Sequence, residues 1–506
     1  MNRDLRLAAS LPIPSTPTLN MDAPNISSRR LRFLLAFCAA ASIGRSQPVH
    51  APLLQVRLQD HLTSYATSVG TGFHAVVTVP LEIGGRVAIP RGSVVYGSVV
   101  KATAVGFGFI HERAALVLDF RECVTPDGRG FPFQARLHAI DNAREHITPR
   151  GTVQGILAAN SPANLRYGLF REPSSAFFYH SLIGATGPTG QLWTEYGMGP
   201  FAAAGFLAVN MMMFRFPEPE IHFAPGTDME LAVSALPEGV AFYPPPFVAE
   251  VPEPLAAELQ TKAYELTKRT GKHVPDIVNV AFLGSREQLM QAFAAAGWLP
   301  AEPTVRHSIS HYWGAIPAMN GYAAAPVSTV LYDGAEPGIV FERSLNTISK
   351  RHHIRIWSAG VFSGREIWLA AASHDTGISF APRQVSFTHK IDPSIDVERS
   401  KIVNDLDFAG CLDPIAYLDR PTAARSLANG DGVSTDGRLA VLTLADCSPP
   451  PPNGQPIPAP PGSKAKRFAR RMVLVERDSI LRQNPYYWTY RAIRRARSLH
   501  SAAFDN

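Results

Sequence analysis

Cysteine is scarce. The chain has four in 506 residues, none in a Cys-x-x-Cys spacing, which argues against a zinc ribbon or a dithiol redox motif. With Cys38 assigned to an N-terminal leader, Cys123, Cys411 and Cys447 are left. That odd, sparse count excludes a disulfide scaffold, although Cys411 and Cys447 are able to pair within one domain in an oxidising compartment. Also missing are a P-loop, a Gly-x-Ser-x-Gly elbow, a dinucleotide fingerprint and a His-Glu-x-x-His helix. Charged residues are only 18% against 46% hydrophobic, a balance that favours folded structure over disorder. Beyond the leader, no apolar run reaches the roughly 20 residues of a helical bilayer span. The most apolar stretch, Ala202 to Phe216, leads into "PEP".

The formal charge of +6 is unevenly placed. From Ser463 to Asn506 eleven Lys or Arg stand against three acids, a local +8, so the remainder is near −2. Basicity therefore belongs to a tail, and a nucleic-acid surface spread over the fold is not expected. At the other end, "SSRRLRFLLAFCAAASIGRSQ" places Arg29, Arg30 and Arg32 before an apolar run from Phe33 to Ile43. That run is too short to span a bilayer but suits a signal-peptide core, so residues 1–47 are expected to direct export, with Met21 a candidate true start. An uncleaved amphipathic anchor is the alternative.

The expected fold is multidomain: an all-β barrel or sandwich over 50–236 and an α+β mixed-sheet domain over 276–447. "FHAVVTV", "SVVYGSVVKATAV" and "AALVLDFREC" have the β-branched content and spacing of strands. "TPDGRG" (125–130) reads as a hairpin turn. Residues 237–275 hold a proline-rich linker and a helix expected over 255–271, ended by Gly271. In the second region, strand "IVNVAFLG" precedes a helix with Ser285 and Gln288 at capping-box spacing. Strands at "STVLYDG", "IVFER", "HHIRIWSAG", "EIWLAAASHD", "VSFTHKID" and "RLAVLTL" and a helix at 396–410 follow. A second proline linker, 448–462, leads to a basic aromatic tail, 463–506.

Two segments carry family resemblances. "VAIPRGSVVYGSVV" and "IHFAPGTDMELAV" resemble the β-barrel of TrbI-like subunits of conjugation and type IV secretion channels. That family's apolar insertion is helical and crosses the outer membrane; here the corresponding 177–214 contains Pro188, Pro200 and many glycines, which favours a loop covering a barrel mouth. "IVNVAFLGSREQLMQAFAAAGW", "APVSTVLYDG", "KRHHIRIW" and "FTHKIDPSIDVERS" resemble LssY C-terminal domains across about 274–447. This second resemblance implies a bacterial envelope or secretion-associated protein, and supplies no catalytic residue.

The polar candidates therefore come from the side chains. Alternation through "KRHHIRIW" puts His352, Ile354 and Ile356 on one face, read as core, and Arg351, His353, Arg355 and Trp357 on the other. An imidazole beside a guanidinium is able to hold an anion and move a proton. His353, Arg355, Asp375 and His389 are the candidate catalytic set, and Arg351, Trp357 and Asp392 candidate ligand-binding residues. Asp392 reads equally as a helix N-cap before Pro393. Hydroxyl residues are absent two positions after His353 and His389, where Arg355 and Ile391 stand, which excludes a two-histidine phosphoesterase. In the tail, Trp488, Tyr490, Arg491, Arg494 and Arg495 suit an anionic membrane surface. Metal binding stays open, since His and Asp ligands suit zinc or manganese, and no cofactor is assigned. Two functional readings follow: an exported, membrane-associated envelope component with envelope protein partners, or a periplasmic hydrolase of phosphate-bearing lipids or glycans.

Overall fold

The computed structural model describes residues 51–108, 111–158, 218–236, 241–267, 273–301, 330–343, 351–381, 386–421, 434–448, 460–483, 486 and 489–493. The leader, the insertion at 177–214 and Gly271 lie outside these residues.

Six antiparallel strands close into a barrel: β1 (Leu53–Leu58), β2 (Gly72–Val79), β3 (Val94–Thr103), β4 (Ala115–Val124), β5 (Gly130–Ile140) and β6 (Asp228–Ala235). The order is β3-β2-β1-β6-β5-β4, with β4 paired back onto β3. Of barrel and sandwich, the closed form is the one adopted. Closure removes both open edges. Alternation drives it: Phe73, Ala75 and Val77 on β2 and Leu116, Leu118 and Phe120 on β4 point into one core. Phe73 and Phe120 meet edge to face at 5.5 Å. Gly97 on β3 permits that contact, because a Cβ there would lie 2.6 Å from the Phe73 ring. The expected "TPDGRG" hairpin forms, with Gly128 at φ +84° and the Thr125 N–H donating to the Arg129 carbonyl.

The second region is a mixed sheet. Its strands are β7 (Val280–Leu283), β8 (Ile339–Arg343), β9 (Arg351–Phe362), β10 (Arg365–Ala381), β11 (Ser386–Ile391), β12 (Leu412–Asp419) and β13 (Arg438–Leu444). From a short edge strand at Leu299–Pro300 the order is β8-β9-β10-β7-β13-β12, and β11 pairs with the distal half of β10. Only the β7–β13 pair is parallel among these. Among the described residues, four longer helices accompany the two sheets: α1 (Glu253–Thr261), α2 (Arg286–Ala295), α3 (Ile395–Phe408) and α4 (Lys464–Gln483). Leu289, Phe293, Ile402 and Leu406 of α2 and α3 cover one face of the mixed sheet, against Ile354 and Ile356. Leu255 and Leu259 of α1 cover the other, against Trp357, Leu369 and Ala371.

Several expectations shift. The Ser285–Gln288 capping box forms as read. The helix expected over 255–271 stops at Thr261, and Glu265–Thr267 instead pairs with a short strand, His273–Ile277. The reason is tertiary: pairing buries Leu266 completely, which local helix propensity does not weigh. "IVNVAFLG" breaks at Asn279, whose side-chain amide bonds both the N–H and the C=O of Ala372 in place of a ladder. His374 and Asp375, expected at a strand exit, sit inside β10, which runs on to Ala381. Cys411 and Cys447 are disulfide-bonded, and Cys123 is buried and free.

The first half of the basic tail is a docked helix. Leu474 of α4 is buried in the barrel core, the Asp478 carboxylate accepts from the Ala158 N–H, and Arg470 donates to Glu220. Among the described residues, no helix is long and apolar enough to cross a membrane.

Candidate functional site

The central device is the β9–β10 hairpin. Ser363 and Gly364 both have positive φ, 48° and 79°, the two-residue turn that matches strand twist. With a one-residue register shift between Ser358 and Val361, the hairpin places His352 opposite His374, His353 opposite Ser373 and Arg351 opposite Asp375. Because side chains alternate, neighbouring rungs feed opposite faces of the sheet and build two polar clusters.

One cluster lies toward α3 and the barrel. His352 is 3% exposed. Its Nδ1 is 2.6 Å from Glu398 on α3, and its Nε2 is 2.8 Å from an oxygen of Asp141 at the end of β5. The His374 ring stacks on His352 at 4.3 Å, and its Nε2 is 3.0 Å from Asn142 Oδ1. One ligand atom from each of Asp141, His352 and His374 can be chosen so that all lie within 4.8 Å of one another. Burial alone would lower the His352 pKa, but Asp141 and Glu398 outweigh it and hold it up at about 9. Burial, helped by the neighbouring His352, pushes His374 down to about 4, so that ring is neutral near pH 7.

This cluster continues into an ionic seam. Asp405 accepts from Arg57 of β1 at 2.7 Å, Arg343 of β8 at 3.0 Å and the Trp298 indole at 3.0 Å. Asp228 of β6 takes Arg57 at 2.7 Å and Lys401 at 2.9 Å. Arg91 of the barrel binds Asp407. Barrel and mixed sheet thus meet through α3 by matched charges.

The opposite face holds most of the candidates read from sequence. Arg351, His353, Arg355 and Asp375 are each 2–3% exposed. Arg351 bonds Asp375 at 3.0 Å and Glu342 at 3.1 Å, and Arg355 bonds Asp276 at 3.1 Å. His353 Nδ1 is 3.8 Å from Asp375, and its Nε2 is 2.9 Å from Ser373 Oγ. Serine, histidine and aspartate here follow the order of a nucleophilic triad, but the hydroxyl that a substrate would have to reach is buried. Ser373 is 1% exposed. Guanidinium and carboxylate charges already satisfy one another, so an anion would have to displace a buried carboxylate.

The remaining candidates separate. Trp357 is buried, packs with α1 and donates its indole N–H to Ala335 O. Asp392 Oδ1 accepts from the Ser394 N–H, and its other oxygen lies 4.0 Å from His374 Nδ1. Ser394, and neither Asp392 nor Pro393, is the residue from which α3 starts. The His389 backbone sits in β11 opposite Ile378, and its side chain lies outside the described residues, as do Trp488, Arg494 and Arg495. Tyr490 is 45% exposed and Tyr486 84%. Arg491 lies in the short helical stretch 489–493.

Sequence reading assigned His352 to the apolar core and passed over Asp141, Asn142 and Lys401. Alternation alone places His352 with Ile354 and Ile356. The available signal was charge: Glu398 and Lys401 one helical turn apart, on the segment that opens a helix.

No curated protein matches the chain. Among solved structures, ComB10 of the Com type IV secretion system of Helicobacter pylori is similar at 13% identity and a TM-score of 0.18, over 38% of this chain and 94% of that one. Residues 259–439, which build most of the mixed sheet and supply both stacked histidines, match the model of the family described as LssY C-terminus.

Proposed function

We propose that the chain is an exported, envelope-associated bacterial protein in which an LssY-like mixed sheet is carried on a β-barrel. In this reading it serves as an assembly, secretion-related or membrane-associated component. The match over 259–439 supports the envelope assignment. The observation that carries export is the Cys411–Cys447 disulfide, since such bonds persist in oxidising compartments and are rare in the cytosol. An anionic membrane surface and envelope protein partners are the expected contacts, with the aromatic, arginine-rich end of the tail as the membrane side.

The hydrolase reading through His353, Arg355, Asp375 and His389 has less support. Three of the four are almost fully buried, and their charges are mutually neutralised. The test is fractionation of cells expressing the full chain, with thiols trapped by alkylation before lysis. The expected result is envelope recovery with Cys411 and Cys447 oxidised. Recovery in the cytoplasm with both thiols reduced overturns export. Turnover of a phosphoester that disappears in a folded His353→Ala variant would establish the hydrolase instead.

A further inference from the structure

Three features of the seam beside α3 bear on ligand binding. The first is donor chemistry. A ring nitrogen of His352, a carboxylate oxygen of Asp141 and a ring nitrogen of His374 lie within 4.8 Å of one another, from three chain segments, two on the mixed sheet and one at the end of a barrel strand. Imidazole and carboxylate together suit divalent transition ions. Bonds of about 2.0–2.2 Å place tetrahedral ligand atoms roughly 3.3 Å apart. The His352–Asp141 separation of 2.8 Å is close to this, and no pair in the group exceeds 4.8 Å.

The second feature is the orientation of His352. Its other nitrogen, Nδ1, is 2.6 Å from the buried carboxylate of Glu398. A ligating histidine commonly gives its second N–H to a carboxylate, which fixes the tautomer and raises the basicity of the metal-facing nitrogen. Glu398 stands in that place.

The third is charge balance. Asp141, Asp228, Asp392, Glu398 and Asp405 supply five carboxylates around the seam. Arg57, Arg343 and Lys401 supply three permanent cations. An ion bound there would take the place of the proton that Asp141 and Glu398 hold on His352, since ligation uses the neutral imidazole. Lys401 lies 3.6 Å from Asp141 and 2.9 Å from Asp228. Asp141 and His374 have side chains 26% and 19% exposed, so two of the three ligands border solvent.

The geometry points to a divalent transition-metal site, zinc or a similar ion, held by Asp141, His352 and His374 with Glu398 orienting His352. Such an ion would pin the barrel to the mixed sheet. The inference does not depend on export or on envelope association.

The test uses the full chain, free of any affinity tag and stripped by chelator, titrated separately with Zn2+ and Co2+. Expected are one equivalent bound, ligand-field absorption of the Co2+ form typical of nitrogen and oxygen donors, and a higher Tm with Zn2+. Glu398→Gln should weaken binding about 10- to 100-fold, the usual effect of losing such a supporting carboxylate. His374→Ala and Asp141→Asn, each shown to be folded by circular dichroism, should weaken it further and abolish the Tm increase. Failure of the unmodified chain to bind either ion stoichiometrically overturns the site, whatever the variants do. Binding that survives in either folded ligand variant with unchanged affinity and spectrum also overturns it.

Discussion

Asp405 gathers donors from four places: Arg57 on the barrel, Arg343 on β8, Lys401 one turn back on α3, and the Trp298 indole. Its side chain is 4% exposed. Removing one partner of a buried ion network leaves the others uncompensated, at a cost of about 3–5 kcal/mol. Asp405→Asn keeps the shape and an acceptor for Trp298 but deletes the charge. Chemical denaturation should therefore show a loss of at least about 3 kcal/mol, and a loss below about 1 kcal/mol would mean that the seam is not a stabilising network. None of this could be read locally, because Arg57 and Asp405 are 348 residues apart in the chain. The alternation that sorted His353 and Arg355 from His352 was legible, since it depends only on neighbouring residues in one strand.

At the scale of elements, α4 changes what the basic tail does. Its cations are partly committed: Arg470 binds Glu220, and Arg477 binds Asp478 and the carbonyls of Gly106 and Glu112. Membrane attraction is then expected from residues beyond Gln483, where Tyr486 and Tyr490 are exposed. Deleting 484–506 should abolish sedimentation with anionic liposomes at low salt while leaving Tm nearly unchanged. Deleting 463–506 should also lower Tm, because Leu474 and Asp478 leave the barrel. Unchanged liposome binding after the shorter deletion would dispose of the membrane role. The sequence marked this segment by its charge, but the apolar stripe that docks it became informative only beside the barrel core.

For the whole molecule, acid should loosen the join between barrel and mixed sheet. Burial by itself raises the Asp228 and Asp405 pKa values, but Arg343, Arg57 and Lys401 outweigh it and hold both below the ordinary carboxylate range. A depressed folded-state pKa contributes stability that is present above the unfolded value, near 3.9 for aspartate, and lost as pH falls through the folded value. Arg57, Arg343 and Lys401 face both carboxylates, Trp298 faces Asp405, the two carboxylates face each other, and Asp141 lies beside Asp228. Stability measured by denaturant should therefore fall progressively below about pH 4, and less steeply in Asp405→Asn. A flat profile down to pH 2.5 in the unmodified chain would contradict this assignment.

The sequence by itself determined the strand-rich character of 50–236, the Ser285 capping box, the faces of the "KRHHIRIW" strand and the segregation of charge into a tail. These follow from periodicity and local hydrogen bonding, which act over a few residues. Only the tertiary structure decided that the barrel closes and that the helix read over 255–271 yields to a strand. Tertiary contacts also turned the His353 cluster inward and gave His352, read as core, its carboxylate and histidine neighbours. Those outcomes depend on which distant groups share a buried space, where an unpaired charge is costly and a matched one is tolerated.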